Sequence, residues 1–227
     1  GQIFGYVHDR LFTEDDFKDV ENGVLKDGVP KQTFTAKVRP GDIKYVDLDK
    51  NGFIDTYDQM AIGGTENPEI VYGFGVNLRW KELDFGAMFQ GIGRTWRILS
   101  SNIMPASNKG SMYNIFDNYQ DRWTVDNQSQ DVFYPRADYG PNANNSQKST
   151  WWLRNMSFLR LKNLELGYSC PKKWLQGFVI SNARVFVRGT NLLTFSKFNL
   201  WDPELATGDG AKYPAMKSVS VGFDITF

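Results

Sequence analysis

The sequence predicts an all-β chain: about five antiparallel strands from the C-terminal part of a large transmembrane β-barrel, joined by long extracellular loops. Three observations predict it. Five segments alternate apolar and polar residues with a period of two, as a strand with two unlike surfaces must. Short and long connections between these segments take turns. Aromatic residues make up 15% of the chain, and transmembrane barrels concentrate aromatics in girdles at both membrane interfaces.

The strands follow in order. In "VYGFGVNLRW" Tyr72, Phe74, Val76, Leu78 and Trp80 share one face, opposite Gly73, Gly75, Asn77 and Arg79. In "ELDFGAMFQG" Leu83, Phe85, Ala87 and Phe89 oppose Glu82, Asp84, Gly86 and Gln90. A tight turn near Lys81 makes these two a hairpin. "SFLRLKNLELGY" begins with Leu159 and Leu161 on the apolar face and continues with Leu164, Leu166 and Tyr168, the other parity. One extra residue near Lys162 and Asn163, a β-bulge, restores a continuous apolar face. In "ARVFVRGTN" Val185 and Val187 oppose Arg184, Phe186, Arg188 and Thr190, and the closing "SVSVGFDITF" sets Val219, Val221, Phe223, Ile225 and Phe227 against Ser218, Ser220, Gly222, Asp224 and Thr226.

The connections sort these strands in a membrane. A turn joins the first pair and a moderate link, "CPKKWLQGFVIS", joins the third to the fourth, whereas residues 92–155 and 195–216 form long loops. That is the pattern of short periplasmic turns and long extracellular loops. Counting strands from Val71 places the C-terminus in the periplasm and residues 1–70 outside the cell. Residues 71–227 are then the barrel portion. Asp84, Arg160, Lys162, Arg184 and Arg188 all fall on the pore side, where no charge meets lipid. Five strands cannot close a barrel, since small ones need about eight and plugged transporters about 22, so the rest of the barrel is an expected partner. The competing architecture is a secreted calcium-dependent carbohydrate-binding β-sandwich module, whose strands also alternate.

Composition removes other classes. Hydrophobic residues are 41% and charged residues 23% of 227, which is neither a disordered chain nor a helical membrane protein. No run of about 18 apolar residues exists, which excludes a transmembrane helix but not a barrel. The 26 basic and 26 acidic residues balance, without a long basic run, so no nucleic-acid partner is expected. Cys170 has no second cysteine to pair with and reads as a small strand-end residue. His8 is the only histidine, and no nucleophile–base constellation is present, so the chain is expected not to be an enzyme. It begins with Gly1 and shows no signal peptide, so it is expected to be processed, truncated or a piece of something longer.

Five stretches, in this order, resemble the C-terminal portion of the SusC/RagA branch of TonB-dependent outer-membrane transporters. "GDIKYVDLDKNGFIDTYDQMAIG" is similar to the acidic loop before a barrel hairpin, and "YGFGVNLRWKELDFGAMFQG" to that hairpin. "SFLRLKNLELGYSCPKKWL" is similar to a late strand and turn, "ARVFVRGTNLLTFSKFNLWDPE" to the next strand, and "SVSVGFDITF" to the last. The resemblance implies active import of oligosaccharides or peptides across the bacterial outer membrane. It implies a SusD-like surface lipoprotein as lid, TonB as the source of work, and a plug in the N-terminal part. It also implies that Phe227, a terminal aromatic on a last strand, is the residue read by the barrel-assembly machinery.

The acidic loop carries its own chemistry. "DLDKNGFIDTYD" places oxygen side chains at Asp47, Asp49, Asn51, Asp55 and Asp58, with Gly52 at the sharp turn and Phe53 offering a backbone carbonyl. This EF-hand-like loop, residues 47–58, suits a structural Ca²⁺, with Mg²⁺ as the alternative. It departs from that pattern at Asp58, where a longer Glu normally binds through both oxygens, and it shows no helical flanks. The same residue types also build solvated turns. Loop aromatics Trp123, Tyr134, Trp151 and Trp201 are the candidates for substrate contact, against the reading that they pack the loops together or face the lid.

Overall fold

A computed structural model of the chain describes residues 1–99, 116–138, 140 and 142–227. Part of the long connection 92–155 thus lies outside the described residues. The chain separates into two units, one formed by Asn67–Thr95 with Asn155–Phe227, the other by Gly1–Glu66 with Trp96–Arg154.

The first unit is a single antiparallel sheet of five strands: β1 (Ile70–Trp80), β2 (Leu83–Gly93), β3 (Phe158–Ser169), β4 (Asn182–Ser196) and β5 (Ser218–Thr226). Each strand pairs with the next in sequence, giving the up-and-down order of a barrel wall. The register makes the two faces continuous. Trp80, Leu83, Tyr168, Val185 and Phe223 form one row across all five strands, and Leu78, Phe85, Leu166, Val187 and Val221 the next. No second sheet covers this face among the described residues, and Phe223 is 73% and Val221 62% exposed. The sandwich architecture needs those side chains buried between two sheets, so the fold is barrel wall.

The bulge lies where the sequence places it. Met88 pairs with Asn163 and Phe89 with Leu161, leaving Lys162 without a partner on β2. On the other side the register shifts at the same place, and Asn191 of β4 adopts a φ of 54°. The extra residue brings Leu159 and Leu161 onto the same face as Leu164 and Leu166.

The second unit is irregular. Gln2–Gly5 pairs with Met60–Thr65, His8–Leu11 with Ile43–Tyr45, and Phe17–Asp19 with Val24–Leu25, all antiparallel; Lys31–Gln32 pairs in parallel with Phe53–Ile54. Phe12, Phe17 and Val38 are buried together, with Leu25 and Val29 packed on them. Side chains replace the missing ladders. Asn145 Oδ1 accepts the Ile43 N–H at 2.9 Å, Asn144 Nδ2 donates to the Ile43 carbonyl at 2.7 Å, and the Tyr45 hydroxyl donates to the Asn144 carbonyl at 2.7 Å. Buried Asp42 accepts from Asn142 and Asn145 and pairs with Arg136 at 3.1 Å. Residues 1–70 and 92–155 are expected from the sequence as separate loops, whereas Gly1–Glu66 and Trp96–Arg154 share one compact unit.

Candidate functional site

The acidic loop begins directly after Ile43–Tyr45 and ends in the short 3-10 turn Thr56–Asp58. Gly52 sits at a φ of 85°, which a residue with a Cβ adopts only with strain. The turn returns the chain so that carboxylate oxygens of Asp47, Asp49 and Asp58 lie within 4.8 Å of one another. Asp58 is fully buried, and accepts the Leu48 N–H at 2.7 Å and the Asp55 N–H at 2.9 Å. Asp47 Oδ2 accepts the Gly52 N–H at 2.8 Å, whereas its buried Oδ1 has no hydrogen-bond partner.

Three carboxylates this close repel unless a cation or a proton intervenes. An oxygen without a donor, in a cluster of anions, fits a hard cation that takes oxygen ligands. The other sequence candidates are placed differently. Asn51 Oδ1 accepts the Phe53 N–H at 2.7 Å and its Nδ2 donates to Asp49 at 3.0 Å, so Asn51 shapes the loop. Asp55 caps the 3-10 turn by accepting the Tyr57 N–H at 2.8 Å. Phe53 is exposed.

The aromatic candidates divide by burial. Trp123, Tyr134 and Trp151 are buried and Trp201 is partly exposed. The Trp123 ring lies where a Cβ on Gly41 (φ 86°) would sit, 2.3 Å from that point, so only glycine fits beneath it. Asp121–Trp123 and Tyr134–Arg136 come together, with the Trp123 N–H on the Tyr134 carbonyl at 3.0 Å and the Arg136 N–H on the Gly41 carbonyl at 2.8 Å. Burial pushes the Tyr134 hydroxyl up to about 12. Trp151 Nε1 donates to the Phe133 carbonyl at 3.2 Å, and His8 stands edge-on to its ring, with Nδ1 2.6 Å from Thr150 Oγ1. Burial lowers the His8 pKa, with Arg154 acting the same way. Trp201 packs on Phe198 and Gly210 in the final loop. The terminal Phe227 is exposed.

The polar face of the sheet holds an ion-pair network that the sequence reading saw only as charge placement. Arg184 on β4 reaches Asp84 on β2 at 2.5 Å, Glu165 on β3 at 2.6 Å and Asp224 on β5 at 3.3 Å, and Arg188 adds a 2.7 Å contact to Glu165. Beside the bulge, Arg160 pairs with Asp202 and with Glu204 at 2.9 Å, and Lys162 with Glu204 at 3.3 Å. Those two cations fasten the start of the final loop to the wall. Arginines facing acids on the polar face, 184 and 188 against 84 and 224, with 165 brought to that face beyond the bulge, were the available signal for the first network; nothing in strand periodicity announces the partners of Arg160 in the loop.

Comparison with known proteins bears on both faces. A curated TonB-dependent receptor, P26 of Formosa agariphila, is 32% identical over 202 residues, covering 82% of this chain and 20% of the relative. The TonB-dependent receptor SusC of Bacteroides thetaiotaomicron is 24% identical over 205 residues, 88% of this chain and 19% of SusC. Among solved structures, that of the RagAB peptide importer in its open-open state superposes with a TM-score of 0.68 at 26% identity, over 100% of this chain and 22% of that one. The chain belongs to the SusC/RagA branch of the TonB-dependent receptors. It spans about a fifth of the length of the relatives it matches. No family model matches it. TonB-dependent receptors are outer-membrane β-barrels, and the five-stranded sheet is a piece of such transmembrane wall, with one apolar, exposed face and one face that carries the Arg–acid network.

Proposed function

We propose that the receptor containing this chain imports oligosaccharides or peptides across the outer membrane, driven by TonB, with a SusD-like surface lipoprotein as lid. The observation that carries the reading is the sheet itself. One of its faces is apolar along every strand and largely exposed, Ala87 and Leu161 excepted, and the other is lined with ion pairs across four strands. Such a wall is stable only between lipid and water. The relatives support a TonB-dependent cycle, and one solved neighbour is a peptide importer. In this reading the plug and the remaining strands come from the rest of the receptor, and the loops of the second unit are extracellular. Of the four loop aromatics, Trp201 keeps exposed surface for a substrate, while Trp123, Tyr134 and Trp151 hold the loops in shape.

Uptake of labelled oligopeptides and oligosaccharides by cells carrying the full receptor tests this. Import that stops when TonB is deleted, together with a lipoprotein that copurifies in detergent, supports it. Uptake indifferent to TonB contradicts it.

A structural Ca²⁺ held by Asp47, Asp49 and Asp58 completes the proposal. The ion neutralises the carboxylate cluster and locks the loop; it takes no part in transport chemistry. Calorimetric titration of the receptor with Ca²⁺ should show binding that Asp47→Asn weakens at least tenfold. No heat at millimolar metal contradicts it.

A further inference from the structure

The turn between β3 and β4 carries apolar surface that neither the import reading nor the metal loop uses. It runs from Cys170 to Ser181 and opens with the 3-10 turn Lys172–Trp174. Trp174 is 66% exposed, Phe178 69% and Val179 85%. Removing such side chains from water is favourable, and a water-filled setting leaves that gain unused. The turn is nevertheless ordered. The Trp174 N–H donates to the Pro171 carbonyl at 2.9 Å, Leu175 N–H to Lys172 at 3.2 Å, and Phe178 N–H to Leu175 at 3.1 Å. The chain is built to hold these side chains outward.

Its position names the partner. The turn leaves β3 just beyond Tyr168, a member of the last apolar row of the lipid-facing surface, with Trp80, Leu83, Val185 and Phe223. The β1–β2 turn at the same end carries exposed Trp80, with the Lys81 ammonium 5.0 Å from its ring. Lys172 and Lys173 are exposed next to Trp174. Trp beside Lys is the combination that suits the headgroup layer, where indole sits at the boundary and ammonium meets phosphate.

We propose that this turn is a foot set into the periplasmic leaflet. Trp174, Phe178 and Val179 lie among the headgroups and upper acyl chains, and Lys172 and Lys173 sit on phosphates of anionic phospholipids. The inference rests on the barrel reading and on this end of the sheet facing the periplasm.

Spin labels test it in the full receptor, with native cysteines replaced, reconstituted in phosphatidylethanolamine–phosphatidylglycerol vesicles. Phe178→Cys, Val221→Cys as lipid reference and Asp126→Cys as loop reference are compared as folded, heat-modifiable protein. Power saturation should show the label at 178 relaxed by oxygen rather than by a water-soluble nickel complex, as at 221. Nickel dominance at 178, as at 126, overturns the foot, and so does a label at 178 shielded from both relaxants. Replacing phosphatidylglycerol by neutral lipid should shift the label toward nickel in the wild-type turn and not in the Lys172→Glu, Lys173→Glu variant. An equal response in both overturns the phosphate contact. Reaction of the 178 cysteine with impermeant maleimide on intact cells overturns the orientation, a failure distinct from that of the foot.

Discussion

The two units of this chain are held by different means. The sheet unit is made of long strands whose backbone groups pair with one another, and its apolar side chains point away from the protein. The loop unit has strands of two to six residues, and its asparagines and aspartates bond the backbone directly. On the proposed reading the difference is one of solvent. A strand between lipid and pore water needs the same pattern along its whole length. A loop cluster in water must build its own interior, and irregular backbone inside it must find partners one by one.

That contrast can be broken from either side. The largest effect is expected inside the loop unit. Trp152 is almost fully buried, and its Nε1 donates to the Asn145 carbonyl at 2.7 Å. Trp152→Ala should cost about 3–5 kcal/mol of that unit's stability, read as rapid proteolysis of the loops while the barrel keeps its heat-modifiable migration. Next comes the lipid face. Val187→Lys should cost about 2–4 kcal/mol near the midplane, whereas Ser220→Lys, one strand over on the polar face, should change stability by less than about 0.5 kcal/mol. Folding titrations into lipid vesicles measure both.

A smaller effect is pH-dependent and confined to the loop unit. Burial alone would raise the Asp16 pKa, but Arg10 at 2.7 Å, the Thr13 N–H at 2.9 Å and Lys44 hold it at about 2. Because the folded value lies below the ordinary 3.8, the stabilisation is complete above that value and is lost as pH falls toward 2. It amounts to about 2 kcal/mol. Protease resistance of the loops should fall through that window, and Asp16→Asn should flatten the fall. Smallest is Lys162→Ala. Its contact with Glu204 is partly exposed, so a loss below about 1 kcal/mol is expected, seen as a slight increase in cleavage of the final loop.

The same contrast explains what the sequence disclosed. All five strands were legible to within a few residues, because one side chain in two had to be apolar; even the bulge at Lys162 showed as a change of parity. The acidic loop was legible as spacing, and three of its carboxylates do converge. Asn51 and Asp55 were harder to place, since a side-chain oxygen two residues from a free N–H serves the turn as readily as a metal. The loop unit stayed hidden. The pairing of His8–Leu11 with Ile43–Tyr45 and the grip of Asn145 on Ile43 join residues far apart in sequence without any period. The partners of Arg160 were hidden likewise, because Asp202 and Glu204 come from a loop that has no strand pattern.

Everything turns on what wets the two faces of the sheet, and β5 reads it directly. Cysteines placed singly at positions 219 to 225 of the full receptor, in its membrane, are offered a lipid-soluble photoprobe and a water-soluble maleimide. Alternation is the expected result, with Val219, Val221, Phe223 and Ile225 positions taking the photoprobe and Ser220 and Asp224 positions the maleimide; position 222 lies under the Phe186 ring and is left out of the comparison. Odd positions shielded from both reagents would mean that protein covers the apolar rows, and the wall would then be the inside of a soluble globule.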